Sequence, residues 1–506
     1  MLRKFKKECE SSCEYILPDY LGDVKKMIST VARAVPSGQF GMDSEVECSG
    51  IVAYEIVYID AENKLSSASF TSDYDFSFPI DAERHIDSFV TEEVSNFTVR
   101  LTGPRRIIAK ANVKSDVCVM ERWEPELVGT AFSSGEELEK LTKTVNIETA
   151  LKGDGVEREY AEAAASLEGI SADEIEVLTS NAYVRISESV PVEGGVNIKG
   201  ELIVTAIIRT PDPGVFAIRR EIPFDETVSI DGATPDMSNM SEATVSSVTC
   251  GVNESENSTE ITANVILELN SIVFFNESVE LTKDAYMKTR DTEEKYNKLD
   301  FTTHLAAETK CGSVNVEIPK SSLEIGNIKE ILGLNADFRA VELENNGKTL
   351  KISAESVFSG VACEILEDGN TNICNLKFAA PISIEVNNSC QICEKMQLFA
   401  KISPAGCEWE LDADNLSIKL WYTLSYSVGK AECEEYLTSC EIVGEKEYTK
   451  TLSEIKVYYP DDGETLFELA KKFHTTVKDI ASDNQISEPT SLGIPASLGI
   501  KKLIIR

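Results

Sequence analysis

Three histidines, His85, His304 and His474, are the only imidazoles in a chain of 506 residues. They lie far apart, so a Ser-His-Asp or Cys-His catalytic site would need distant segments to meet in space. No Gly-x-x-x-x-Gly-Lys-Ser/Thr run offers a phosphate cradle, and no Gly-x-Ser-x-Gly turn offers a serine nucleophile. Cys390-Gln-Ile-Cys393 has the spacing of half a zinc site, but no second closely spaced pair accompanies it. Cys363 and Cys374 sit in strand-like runs, where cysteine serves as a small buried apolar residue. The acidic pairs Glu136-Glu137 and Glu434-Glu435 match glycosidase carboxylates in type. In a chain this rich in acid they read as solvated faces, and no loop has the ligand spacing of an EF-hand. The expectation is a protein with no catalytic residues, no metal and no cofactor, hence not an enzyme.

Composition points the same way. There are 49 basic and 86 acidic side chains, giving a net charge of −37. A phosphate backbone attracts stripes of Lys and Arg, so nucleic acid is not the expected partner. An anionic membrane surface is disfavoured for the same reason. The apolar content of 42% is enough for real cores. The basic start Met1-Leu-Arg-Lys has no apolar stretch behind it, so no signal peptide is expected. Apolar runs such as Leu202–Ile208 are strand-sized, far short of a membrane span. Thirteen cysteines without framework spacing suit free thiols in a reducing compartment.

The elements that would position any site come in repeats. One block begins at Leu21-Gly-Asp-Val, a second at Ala172-Asp-Glu-Ile and a third at Gly326-Asn-Ile-Lys. They lie about 150 residues apart, a domain's worth each. Each block leads into a long apolar strand carrying a small residue at a common position: Gly50, Gly200 and Ala354. Such a residue marks a bend or a close backbone approach. The blocks close on alternating strands over Ile107–Val113, Ile261–Leu269 and Leu416–Leu424. A period of two predicts antiparallel sheet with one face buried. The fold class expected is mainly β: three repeated antiparallel sandwich- or barrel-like modules with short helical connectors, followed by a small βααβ module. The expected divisions are 1–150, 151–310, 311–450 and 451–506. Residues 136–145, 157–167 and 291–299 are polar, and the first two are rich in Ala or Glu; all three are compatible with connector helices.

The tail differs. Val457–Phe473 reads as strand, turn, helix, with Gly463 in the turn and Asp462 or Thr465 as the helix cap. Leu466, Leu469, Ala470 and Phe473 share one helical face. A second short helix over Thr476–Asn484 and a strand at Leu503–Ile505 complete the module. Gly463-Glu-Thr-Leu466, Leu469-Ala470, Ile480 and Asn484 resemble the LysM family. Glu464 stands where that family often has Asp, and the stretch from Ser487 to Gly499 is longer than usual. The resemblance implies a groove for N-acetylglucosamine glycans, such as peptidoglycan, or for a protein. Its walls would be Asp461, Asp462, Gly463, Glu464, Thr465 and Leu466 on one side, with Asn484, Gln485 and Ile486 on the other. Turn and cap chemistry alone also accounts for Gly463, Thr465, Leu466 and Asn484.

The three blocks, Pro18-Asp19, Ile222-Pro-Phe224 and the terminal LysM-like module together resemble the SPOCS-domain (SipL-type) spore coat morphogenesis proteins of endospore-forming bacteria. Blocks one and three have no Ile-Pro-Phe. The resemblance implies a structural protein of the spore envelope, in the mother-cell cytoplasm at the forespore surface. There it would help attach the coat by binding the coat's morphogenetic ATPase or other coat proteins through the LysM module. The competing reading is a wall protein that binds peptidoglycan.

Overall fold

The computed structural model describes residues 2–42, 44–81, 83–122, 138–211, 214–254, 258–323, 325–345, 349–366, 371–387, 396–447, 455–486, 493–495, 497 and 500–505. Its first repeat has six strands: β1 (Leu2–Ile16), β2 (Val24–Met42), β3 (Glu45–Asp60), β4 (Leu65–Pro79), β5 (His85–Gly103) and β6 (Arg106–Glu121). They form two antiparallel sheets, a β2-β3-β4 meander and a sheet ordered β1-β6-β5. Alternation does the work: Val52, Tyr54 and Ile56 of β3 meet Ile107, Ala109 and Val113 of β6 in a core between the sheets.

The second repeat follows the same plan. Its strands are β7 (Leu138–Lys152), β8 (Val156–Glu168), β9 (Glu176–Val192), β10 (Gly195–Arg209), β11 (Val215–Ser229), β12 (Ser238–Glu254) and β13 (Ser258–Met287). Its sheets are β11-β10-β9 and β12-β13-β7, with β8 also pairing β13. The third comprises β14 (Arg290–Pro319), β15 (Asn327–Asn345), β16 (Thr349–Ile365), β17 (Thr371–Asn387), β18 (Met396–Leu411) and β19 (Asn415–Glu447), in sheets β15-β16-β17 and β14-β19-β18. Every residue of the three predicted alternating sets, Ile107 to Leu424, is buried.

The connector helices are not there. The described parts of 136–145, 157–167 and 291–299 are strand, in β7, β8 and β14, and Glu136-Glu137 lies outside the described residues. The preference of Ala and Glu for helix amounts to tenths of a kcal/mol per residue. Against it stands a full ladder, such as the run from Ser258↔Glu168 to Leu269↔Val156, which pairs an otherwise bare edge of β13. Among the described residues the α-helices are confined to the C-terminal module, and two single 3-10 turns, Ala172–Glu174 and Lys320–Ser322, precede β9 and β15.

The common small residue has a clear cause. Gly50 pairs with Tyr74, and a methyl group there would fall 2.3 Å from the tyrosine hydroxyl and 2.7 Å from the Val35 carbonyl. Gly200 pairs with Phe224, and its methyl would fall 2.3 Å from the Arg185 carbonyl. In the third repeat Ala354 pairs with the smaller Ile382, and on its other side β15 has an irregularity in register between Arg339 and Glu342. Tyr74, Phe224 and Ile382 are thus one position, and Ile-Pro-Phe is its form in the second repeat. Pro223 and Pro381 sit on β11 and β17, edge strands of their meanders, where a missing N–H costs least.

The three repeats form one compact unit. Counting from the shared small residue, Val57, Ile207 and Val361 are equivalent, and all three meet in one buried cluster with the equivalent set Ile28, Leu178 and Leu332. On the other set of sheets, Phe89, Met240 and Phe399, which pair with Cys118, Ile272 and Ser427, meet in a second such cluster. Equivalent positions of three copies therefore converge on each other. This is why β3 and β6 turn from one buried face to two along their length.

A second unit comprises Trp123–Ile147, Asn276–Thr303 and Ala431–Arg506. Val145, Leu281, Leu299, Phe301 and Tyr436, from β7, β13, β14 and β19, form a small core there. The C-terminal module belongs to it: β20 (Lys456–Tyr458), α1 (Leu466–Lys472), α2 (Val477–Asn484) and β21 (Leu503–Ile505), with β20 and β21 antiparallel. No helix among the described residues is long and apolar enough to cross a membrane.

Candidate functional site

The C-terminal module is built by its caps. Gly463 takes a φ of 98°, which makes the turn out of β20. Thr465, not Asp462, caps α1. Its hydroxyl accepts from the Glu468 amide at 3.2 Å, and Glu468 returns a carboxylate to the Thr465 amide at 2.8 Å. This reciprocal box satisfies two orphan donors, which one Asp three residues earlier cannot do. Thr476 caps α2 by accepting from Asp479 N at 2.9 Å. His474 follows the end of α1 in the left-handed region, at φ 53°. Leu466, Leu469 and Ala470 are fully buried with Ile480 and Leu503.

Most of the predicted groove residues are spent on the fold. Asn484 donates to the carbonyls of Ile480 at 2.8 Å and Ile504 at 2.7 Å, and accepts from Ile504 N at 2.7 Å, so it ties α2 to β21. Glu464 accepts from the Tyr458 hydroxyl, the Asp461 amide and Lys472. Burial pushes the Glu464 carboxyl up, but these donors outweigh it and hold it below its ordinary value. Leu466 donates its amide to the Gly493 carbonyl at 2.9 Å, which brings the Asp461–Leu466 loop against the segment after α2. Gln485 closes α2 in the left-handed region, and Ile486 packs on the module core. Of the predicted groove side chains, Asp461, Asp462 and Gln485 are left exposed. Most of Ser487–Gly499 lies outside the described residues.

The other face of α1 is covered. Phe467 makes an edge contact with Tyr286 at 5.2 Å, and the Tyr286 hydroxyl donates to the Thr475 carbonyl at 2.7 Å. Lys471 reaches Asp284 at 2.8 Å and Glu294 at 2.9 Å. Burial opposes the Lys471 charge, yet the two carboxylates outweigh it and hold the ammonium above its ordinary value. The module is therefore seated on β13 and β14 rather than strung on a tether, which the sequence did not foretell.

Sequence spacing also missed a cluster in the first unit. Lys4 of β1, Glu148 of β7 and His304 of β14 meet at the strands that begin the repeats. Lys4 Nζ lies 3.2 Å and His304 Nδ1 3.1 Å from the same Glu148 Oε1. Lys4 also donates to Ser427 Oγ at 2.9 Å, and His304 Nε2 meets Ser238 Oγ at 2.6 Å. Glu148 and His304 are only 2% and 8% exposed. Burial works against the Glu148 charge, but His304 and Lys4 overcome it and hold the carboxyl below its ordinary value. The order Ser238–His304–Glu148 is that of a hydrolytic triad. Its surroundings are those of a core: the His304 ring stacks on Phe274 at 5.4 Å, and Lys4 shares the carboxylate. Ser238 and its neighbour run in the β12–β13 ladder, not in a turn that presents N–H groups to an oxyanion.

The remaining chemistry-bearing residues stay apart. His85 pairs locally with Ser88 at 2.9 Å, and Glu434 pairs with Lys143 and Lys283. Cys363 and Cys374 are buried, and the described cysteines are all free thiols. Cys390 and Cys393 lie outside the described residues. Among the described residues no group of three His, Cys, Asp or Glu side chains is placed to hold a metal.

Residues 173–253 match the family model described as SipL, SPOCS domain, and residues 462–495 match the LysM domain model. The first match runs from the 3-10 turn before β9 to β12 of the second repeat. The chain thus carries a SPOCS domain and a C-terminal LysM domain, a pairing that fits a sporulation or cell-wall-binding protein. The first and third repeats share the strand plan of the matched one. No curated protein matches the chain. One solved structure, "Crystal structure of lipopolysaccharide binding protein", is 7% identical, with a TM-score of 0.08, over 52% of this chain and 91% of that one. A likeness that slight carries no argument.

Proposed function

We propose that the chain is a non-enzymatic scaffold of the spore envelope, acting in the mother-cell cytoplasm at the forespore surface. Its LysM domain recruits a coat protein, in the first instance the coat's morphogenetic ATPase. The observation that carries this reading is the presence of a SPOCS domain and a LysM domain in one chain. The seating of the LysM core on β13 and β14 supports it, because a fixed module keeps its exposed side chains, Asp462 and Gln485 among them, in a constant setting for a partner.

Localisation tests it. A fluorescent fusion should gather at the forespore during sporulation, and removal of residues 455–506 should abolish that. Because the deletion also bares Tyr286, the paired variant Asp462→Lys with Gln485→Asn should reproduce the loss in a folded protein. Normal localisation of both would refute the recruiting role. Ser238 should resist a fluorophosphonate probe, whereas labelling that depends on His304 would make the chain a hydrolase.

The second reading, glycan binding, is favoured by the LysM match alone. It predicts that purified peptidoglycan sediments the protein and that the same pair of substitutions releases it. Thr465 and Asn484 are poor choices for this test, since both hold the module together.

A further inference from the structure

A cleft of about 320 Å³ opens in the first unit where β2 and β5 face β15, β16 and β17. That is the size of a small-molecule site. Its walls carry Arg100, Arg339 and Lys377, with Ser359 and Asn375 beside them. None of these three cations forms an ion pair or side-chain hydrogen bond with a described residue. Other arginines and lysines of the chain do hold carboxylates: Arg105 has Asp19 and Asp23, Arg185 has Glu201 and Glu408, and Lys471 has Asp284 and Glu294. Like charges held together in a concavity repel, and a bound anion relieves the repulsion.

The floor supplies a second, independent feature. Asp337 lines the cleft, and its carboxylate forms neither a hydrogen bond nor an ion pair with a described residue. Burial pushes its carboxyl up to about 6, against the pull of Arg339 and Arg33. A half-buried acceptor without a donor still carries part of a desolvation cost. It is met by a hydroxyl or ammonium arriving with the ligand.

We propose that this cleft binds a small organic anion, carboxylate or phosphate, that also carries a hydrogen-bond donor. The anionic group lies between Arg100, Arg339 and Lys377, and the donor reaches Asp337. The two arginines suit planar or tetrahedral oxyanions through paired N–H groups, and Lys377 adds a point charge. The site is separate from the LysM domain and does not rest on the reading given above.

Titration calorimetry on the full chain tests it, with citrate, inorganic phosphate and glucosamine 6-phosphate as probes. At least one should bind saturably at one site. Arg100→Gln combined with Lys377→Gln, both exposed positions, should weaken that binding by about tenfold or more while the melting curve stays unchanged. Asp337→Asn should weaken glucosamine 6-phosphate more than phosphate, and an equal loss would remove Asp337 from the site. Saturation by none of the three probes, or unaltered binding in the double variant, overturns the proposal. Binding of a polyglutamate peptide with no small anion bound also overturns it, in favour of an acidic protein partner.

Discussion

Replacing Lys4 by Met should loosen the first unit far more than the loss of one surface lysine would. Lys4 and Glu148 are 13% and 2% exposed, so the pair is desolvated, and Lys4→Met takes away the ammonium and leaves the carboxylate to the His304 imidazole. Breaking a buried pair from one side costs about 3–5 kcal/mol, whereas replacing both members by apolar residues is often neutral. Lys4→Met should therefore cost roughly that at pH 7, and Lys4→Met with Glu148→Leu should recover most of it. The pH dependence has a definite sign. The native Glu148 carboxyl is held below its ordinary value, so its contribution is full above the unfolded value near 4.5 and is lost as pH falls through the native one. The Lys4→Met penalty should shrink on acidification, because a protonated Glu148 no longer needs the ammonium. Unfolding of two units is not a single step, so the readout is hydrogen exchange of the β1 and β7 amides. A loss of 3 kcal/mol appears as exchange faster by about two orders of magnitude. A single variant within about 1 kcal/mol of the parent, or a double variant as damaged as the single, would refute the account of a charge-coupled seam.

Three further outcomes follow from particular contacts. Glu92 accepts a hydrogen bond from Tyr74, and burial pushes its carboxyl up to about 7. A raised acid penalises folding above its unfolded value, so Glu92→Gln should raise the thermal midpoint at pH 8 and leave it unchanged at pH 4. The ceiling on the gain is roughly 3 kcal/mol. Gly200→Ala should destabilise by several kcal/mol in urea titrations, because its methyl meets the Arg185 backbone at 2.3 Å, whereas Ala354→Gly should cost only about 0.5–1 kcal/mol. Tyr286→Phe should cost about 1 kcal/mol and Tyr286→Ala about 3–5 kcal/mol, measured as faster hydrogen exchange of the α1 amides.

Much of the fold was legible because alternation is a local signal. The strands over Ile107–Val113 and their two counterparts show their buried face in the sequence itself, and so does the apolar face of α1. The connectors were not legible. Residues 157–167 carry helix formers, and only the distant β13, with its unpaired edge, decides their state. The sequence offered both Asp462 and Thr465 as caps and left Asn484 open between groove and fold, because the Asn484 partners, Ile480 and Ile504, are backbone groups that no side-chain pattern announces. The Lys4–Glu148–His304 cluster and the Asp337 cleft were hidden for the same reason. Their members come from different repeats, and a period found within one repeat says nothing about which faces of three repeats will meet.

The convergence of equivalent positions explains why three copies in one chain differ where a trimer of identical chains could not. At apolar levels the copies agree, as Val57, Ile207 and Val361 do. At polar levels they diverge into complementary sets. The position of Arg33 holds Tyr183 in the second repeat and Asp337 in the third. The position of Thr91 holds Glu242 and then Lys401, which pair with each other. Identical residues at such levels would place three like charges together or three neutral groups without partners, and like charges at close range repel strongly in a low-dielectric setting. Covalent fusion lets each copy carry a different charge, so the contacts specify which repeat neighbours which. It also permits what symmetry forbids: an unequal cleft with Arg100, Arg339 and Lys377 between the first and third repeats only. Exchanging Glu242 and Lys401 in a double swap should therefore be tolerated better than either single change, while each single change buries an unmatched pair of like charges. Equal damage from the single and double exchanges, read as the urea midpoint of the first unit, would show that shape rather than charge orders the repeats.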